Sequence, residues 1–281
     1  MKVLVTGAQG MVGRAVCDYC STIGDEVLAY GRDGLDIADS DAVMTTVARE
    51  RPDVIINCAA WTDVDGCESD RERAFAANAT GPENLARASK LYDAGFVTIS
   101  TDYVFDGSKT GFYTQEDQPN PQSVYAASKL EGEQRAQLAN ENTLVVRTGY
   151  VFGPGGRNFL STVVERAREG ATLHVINDQF GTPTYSRDLA IRLRELAERN
   201  YPGIYHVVNA GEGTTFADFA REALTISGIS DVDLRTVSMD SLDRPAPRPR
   251  NSRMRCLLSE QLQLPPMPDW RTSLRQFIQD K

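Results

Sequence analysis

The 281-residue sequence lacks the features that mark several large protein classes. It holds no apolar run of the ~18 residues that a bilayer-spanning helix needs, so no membrane partner is expected. Met1 leads into "KVLVTGAQG", which has too short an apolar stretch and the wrong continuation for a signal peptide; a cytoplasmic protein is expected. Histidine is scarce, with only His174 and His206, and His-based metal catalysis has little support. Five cysteines, an odd number in a chain this long, do not read as a disulfide framework and suit a reducing compartment. Cys17 and Cys20 form a C-x-x-C, but it falls inside an expected helix without the second pair that zinc requires, so both read as packing residues and no metal is expected. Positive charge is also short. The net charge of −9 argues against general affinity for nucleic acid or an anionic membrane.

What is present is an alternation of short β-branched runs with helical segments. "KVLVTG" reads as a buried strand, "MVGRAVCDYCSTIG" as a helix ended by Gly24, and "EVLAYG" as a second strand. The pattern continues through the helix "SDAVMTTVARER", the strand "DVIINCAA", the helix "RAFAANATGPENLARASKLYD" and the strand "GFVTIS". It ends with the helix "YAASKLEGEQRAQLAN" and the strand "TLVVRTGYVFG". Such alternation implies right-handed crossovers and a parallel sheet covered on both faces, a doubly wound α/β fold. After about residue 150 the rhythm breaks, with loops at "GPGGRN" and "NDQFGTPT" and prolines near residue 245. The expected layout is a dinucleotide-binding domain over residues 1–150, rejoined by a helix and strand at about 183–209, and a smaller substrate lobe over 151–281.

"VTGAQGMVG" puts Gly7, Gly10 and Gly13 between the first strand and the first helix. Glycines there serve either as plain turns or as a dinucleotide loop, and the position favours the second. They allow close backbone approach, and the amides at the helix N-terminus suit a pyrophosphate. The arrangement is Rossmann-type. The second strand ends "AYGRDG", without the acidic residue that holds a ribose 2′-hydroxyl and with Arg32 close by. Arg32 reads either as a solvated side chain or as the partner of a 2′-phosphate, so NADPH is expected as cofactor and NADH stays possible.

The fourth strand runs into "STDYVFDG", placing Ser100, Thr101 and Asp102 at the edge where open α/β sheets bind ligands. Tyr125 and Lys129, four apart in "SVYAASKLEGE", share one helix face. Alone the pair reads equally as a solvated polar face. Following Thr101 by 24 residues, it can bring a hydroxyl, a phenol and an ammonium around one carbonyl. At this point the chain resembles the extended short-chain dehydrogenase/reductases, and more narrowly the dTDP-4-dehydrorhamnose reductases. The segments that carry the resemblance span nearly the whole length: "VTGAQGMVG", "RPDVIINCAAWTDVDGCE", "NATG", "STDYVFDG", "YAASKLEGE", "VVRTGYVFG", "NDQFGTPT" and "RPRNSRM".

The resemblance implies reduction of the 4-keto group of a dTDP-linked 6-deoxysugar. It makes Thr101, Tyr125 and Lys129 the catalytic three. It matches Gly10, Met11, Val12, Asp36, Ile37, Ala60, Trp61, Thr62, Ile99 and Lys129 to cofactor positions, and Thr101, Asp102, Tyr125 and Tyr150 to sugar-nucleotide positions. The family often has tryptophan where Tyr150 stands. Hydride passes from the nicotinamide to the ketone carbon and the developing alkoxide takes a proton from Tyr125, whose pKa a nearby ammonium is expected to lower. The superfamily shares the glycines and the Tyr/Lys pair, so a reductase or epimerase of another nucleotide-sugar is the alternative within enzymes. A non-catalytic subunit like the regulatory subunit of methionine adenosyltransferase is the alternative outside them.

"RPAPRPRNSRMR" gathers Arg244, Arg248, Arg250, Arg253 and Arg255 in an acidic chain. It reads either as a solvated proline-rich loop or as a place where one or two guanidiniums meet the substrate diphosphate, with Arg250 the first choice. Some family members dimerise around magnesium held by a glutamate two residues after the third glycine. Ala15 stands there, so a monomer or weak homodimer is expected.

Overall fold

A computed structural model describes residues 1–156 and 158–280; Arg157 of the "GPGGRN" loop and Lys281 lie outside the described residues. The apolar run of β1 (Lys2–Thr6) is buried on both faces. Val3 and Val5 point into one core and Leu4 into another, as the two-residue period of a strand dictates. Around β1, the strands β2 (Glu26–Tyr30), β3 (Val54–Asn57), β4 (Gly95–Thr101) and β5 (Thr143–Thr148) form a parallel sheet in the order β2-β1-β3-β4-β5. The strand Gly203–His206 pairs in parallel with β5 and completes six strands.

Helices cover both faces. Val16 of α1 (Met11–Thr22) joins Val3, Val5, Ile56 and Val146 on one side. Val43 and Val47 of α2 (Ser40–Glu50) join Leu4, Ile55 and Phe96 on the other. The segment "RAFAANATGPENLARASKLYD", expected as one helix, is α4 (Arg71–Phe75), a π-helical turn at Ala76–Thr80 and α5 (Gly81–Leu91), preceded by a short α3 (Val64–Ser69). The interruption has a local cause. Pro82 has no N–H to give the Asn78 carbonyl, four residues back. That carbonyl faces α6 (Val124–Ala139) instead: a Cβ on Gly132 would lie 2.0 Å from it, so only glycine lets the two helices meet there.

After β5 the chain builds a second core. Phe152 from the short strand Val151–Phe152, Leu160 and Val164 from α7 (Phe159–Arg168), Phe219 from α9 (Phe216–Ile226), and Trp270, Leu274 and Phe277 from the last helix (Trp270–Gln279) pack together. Between α7 and α9, α8 (Ser186–Arg199) returns to the main sheet, where Leu189 and Leu193 lie in the same cluster as Val3 and Val5.

Candidate active site

The turn from β1 into α1 is tight. Gly7 has φ +65°, and a Cβ there would stand 2.6 Å from the Ala59 nitrogen. A Cβ on Gly13 would stand 2.2 Å from the Gly7 carbonyl oxygen. Gly10 caps α1 without a side-chain hydrogen bond, so no side chain occupies the first amides of the helix. This glycine cradle against the ends of β1 and β3, at the point where the sheet order reverses, fits the pyrophosphate of a dinucleotide.

Two adjoining cavities open there, sharing Gly10, Cys58, Ala59 and Ala60. The first, about 310 Å³, is lined by Gly7, Arg32, Asp36, Ile37 and Trp61. The second, about 460 Å³, is lined by Met11, Val12, Gly13, Thr62 and Ile99 on one side and by Thr101, Asp102, Tyr125, Lys129 and Tyr150 on the other. Every residue expected from the sequence to be catalytic or to bind the cofactor borders one of the two, as do Asp102 and Tyr150, whereas none of the arginines of 244–255 does.

Thr101, Tyr125 and Lys129, the three that the resemblance makes catalytic, come together because three elements end at one place. β4 delivers Thr101, while Ser123 caps α6 and accepts from the Ala126 amide at 3.2 Å. Glu68 on α3 accepts from the Val124 amide at 2.8 Å and ties the start of α6 to the cavity wall. One turn apart, Tyr125 and Lys129 are both buried. Lys129 Nζ donates to the Ile99 carbonyl at 2.7 Å. Burial pushes its ammonium down to about 8, against the opposing pull of Glu133.

Tyr125 differs from expectation. Its phenol is raised above the ordinary value, not lowered, because burial outweighs its contact with Thr101 and the Asp102 carboxylate adds to the rise. The phenol thus keeps its proton. Burial also lifts Asp102 to about 6, with hydrogen bonds from Ser252 and Thr101 opposing. Tyr150 adopts φ +45° and stacks on Phe216 with ring centroids 4.3 Å apart; a Cβ on Gly181 would collide with its ring. A bulky residue in left-handed backbone is held there by its surroundings, a common mark of ligand-binding positions.

Comparison with known proteins matches this geometry. The family described as "RmlD substrate binding domain" matches residues 1–281. The dTDP-4-dehydrorhamnose reductase of Mycolicibacterium smegmatis is 40% identical over 280 residues, covering 99% of this chain and 85% of that protein. The chain belongs to the dTDP-4-dehydrorhamnose reductase family. Its fold superposes on the family member from Clostridium acetobutylicum with a TM-score of 0.95, at 37% identity over 99% of both chains. The Bacillus anthracis family member, whose structure is a complex with NADP, gives 0.96 at 33% identity over 100% of both.

Three features of this family member were not singled out in the sequence. Glu133, two turns beyond Tyr125 on α6, accepts from Arg147 Nε at 2.9 Å, Arg147 Nη2 at 2.7 Å and, by a short bond, Ser100 Oγ. An arginine inside the apolar run "TLVVRT" requires a buried partner, a signal that was legible. Asn78 in the π-helical turn holds the Trp61 backbone from both sides, at 2.8 and 3.0 Å, and donates to Ser128 of α6 at 3.0 Å. Arg73 lies 4.4 Å over the Trp61 ring and lines the 310 Å³ cavity with Arg32.

Among the five arginines, Arg250, the first choice in the sequence, stands apart from both cavities. It is held by Asp178 at 3.0 Å and by Asp240. Arg248 pairs with Asp65, Arg253 with Asn251 and backbone carbonyls, and Arg255 with Glu260. Arg244 lines a further cavity of about 290 Å³, together with Arg166, Phe159 and His174. That cavity adjoins the catalytic one through Tyr103 and Phe216. Among the described residues no three His, Cys, Asp or Glu side chains gather as metal ligands.

Proposed function

We propose that this chain reduces the 4-keto group of a dTDP-linked 6-deoxysugar, dTDP-4-dehydro-L-rhamnose, with NADPH as the reductant. The observation that carries the reading is a single 460 Å³ cavity bordered by the α1 glycine loop and by Thr101, Tyr125 and Lys129. A bound reduced nicotinamide supplies the hydride. Thr101 and Tyr125 hold the ketone oxygen, and the phenol hydrogen moves to it as negative charge develops. A phenol with a raised pKa suits this direction, because it stays protonated until an alkoxide, a far stronger base, forms beside it. Lys129 fixes the nicotinamide ribose and contributes positive charge next to the departing proton.

Arg32 and Arg73 both line the 310 Å³ cavity, and two guanidiniums there support a 2′-phosphate and hence NADPH over NADH. The 290 Å³ cavity takes the nucleoside diphosphate, with Arg166 and Arg244 toward the phosphates. Residues 151–181 and 210–280 act as the substrate lobe on the dinucleotide-binding sheet. Intact Thr101, Tyr125 and Lys129 count against a purely regulatory subunit. The test is turnover of dTDP-4-dehydro-L-rhamnose with each cofactor. A higher kcat/KM with NADPH is expected. No turnover with either cofactor overturns the activity, and preference for NADH overturns the cofactor assignment.

A further inference from the structure

Thr148 is the last residue of β5 and pairs in register with Thr101 at the end of β4. Partners across a parallel ladder project from the same face of the sheet, so the two hydroxyl-bearing side chains stand side by side. Both line the 460 Å³ cavity. Their hydrogen bonding differs. Thr101 Oγ1 donates to Asp102 Oδ1 at 3.1 Å and accepts from the Tyr103 amide at 3.2 Å. Thr148 is 5% exposed, and its Oγ1 has no hydrogen-bond partner among the described residues. A buried hydroxyl without a partner is costly, and valine would fill the same volume without that cost. The hydroxyl therefore answers to something the cavity receives.

The lattice of the sheet indicates what that is. Neighbouring strands lie ~4.8 Å apart, so two hydroxyls on adjacent strand ends, each reaching one hydrogen bond inward, address oxygens on adjacent carbons of a pyranose ring. In a 4-keto-6-deoxysugar the ketone carbon has two ring neighbours. Carbon 5 bears a methyl group, and carbon 3 bears a hydroxyl. We propose that Thr148 binds the 3-hydroxyl of the substrate while Thr101 holds the 4-keto oxygen, which makes Thr148 a specificity-determining residue. The assignment rests on the nucleotide-sugar reading above.

The experiment pairs enzyme and substrate changes. Wild type, Thr148→Val and Thr148→Ser are assayed on the dTDP-4-keto-6-deoxysugar and on its 3-deoxy analogue, with NADPH varied separately. Thr148→Val is expected to lose about thirtyfold in kcat/KM on the hydroxylated sugar and only about twofold on the analogue. Thr148→Ser retains most activity on both, and the KM for NADPH stays unchanged. Undiminished activity of Thr148→Val on the hydroxylated sugar overturns the proposal. So does an equal loss on both sugars, or a loss confined to the KM for NADPH, since each assigns Thr148 a structural or cofactor role. A wild type that reduces neither sugar overturns the function itself, and this assignment with it.

Discussion

The floor of the catalytic cavity and the arginine-rich segment 244–255 are both held by guanidinium–carboxylate pairs, yet the pairs differ in their surroundings. Arg147 and Glu133 join β5 to α6 with side chains 4% and 2% exposed. Arg250 meets Asp178 and Asp240 with its side chain 51% exposed. A buried pair cannot loosen without stranding a charge in the protein interior, so it fixes the elements it joins. An exposed pair exchanges with water and salt at little cost and fixes nothing. The floor is thus fixed by a buried pair, while Arg250 is held only by surface pairs; Arg248, 11% exposed against Asp65, is the more firmly held member of its segment.

The largest break in this comparison comes at the floor's reacting group. Tyr125→Phe removes the proposed proton donor and almost no volume. Turnover is expected to fall on the order of a thousandfold, with NADPH binding, followed by its fluorescence, within about twofold of wild type. Retention of a tenth of the wild-type turnover would show that another group delivers the proton.

Next in size is the buried pair itself. Glu133→Gln leaves Arg147 without a carboxylate in the interior, and a loss of about 3–5 kcal/mol is expected in urea unfolding. The same variant has a pH signature. Lys129 in the folded protein titrates near 8, below its ordinary 10.5, so the folded state binds fewer protons than the unfolded one between these values. Stability gains from Lys129 as pH rises through that window, while activity that needs the ammonium falls. Glu133 pulls the Lys129 value upward, so the glutamine variant should move the alkaline limb of kcat/KM below pH 8. An unmoved limb would reduce Glu133 to a purely mechanical tie.

The contrast between the two regions also explains what could be read in the sequence. The parallel sheet was legible because "KVLVTG", "DVIINCAA" and "TLVVRTGYVFG" are apolar enough to be buried on both faces, and the glycine loop because it falls between a strand and a helix. That Thr101, Tyr125 and Lys129 border one cavity agrees with their spacing, while the roles expected of them came from the family resemblance. Glu133 was not legible, since a glutamate in "KLEGEQ" looks like any solvated helix position until Arg147 arrives from a strand 14 residues on. The rise in the Tyr125 pKa was hidden for a similar reason: spacing brings an ammonium near a phenol, but only packing shows that burial wins. The arginines are the hardest case, because "RPAPRPRNSRMR" does not encode which carboxylates come to meet it.

The smallest effect is therefore the most discriminating test of that segment. Arg250 already has two carboxylate neighbours, Asp178 and Asp240, whose charges offset its own before any phosphate approaches. Arg250→Ala is expected to change the KM for the sugar nucleotide by less than about twofold. Arg244 borders the 290 Å³ cavity beside Arg166, where the proposed function has it meet a diphosphate by charge-assisted hydrogen bonds. Arg244→Ala is expected to raise that KM about tenfold with kcat near wild type, and added salt should narrow the gap between variant and wild type. The reverse order of effects would mean that Asp178 and Asp240 release Arg250 when substrate binds. In that case the exposed pairs of the segment are a device for delivering an arginine rather than for parking one.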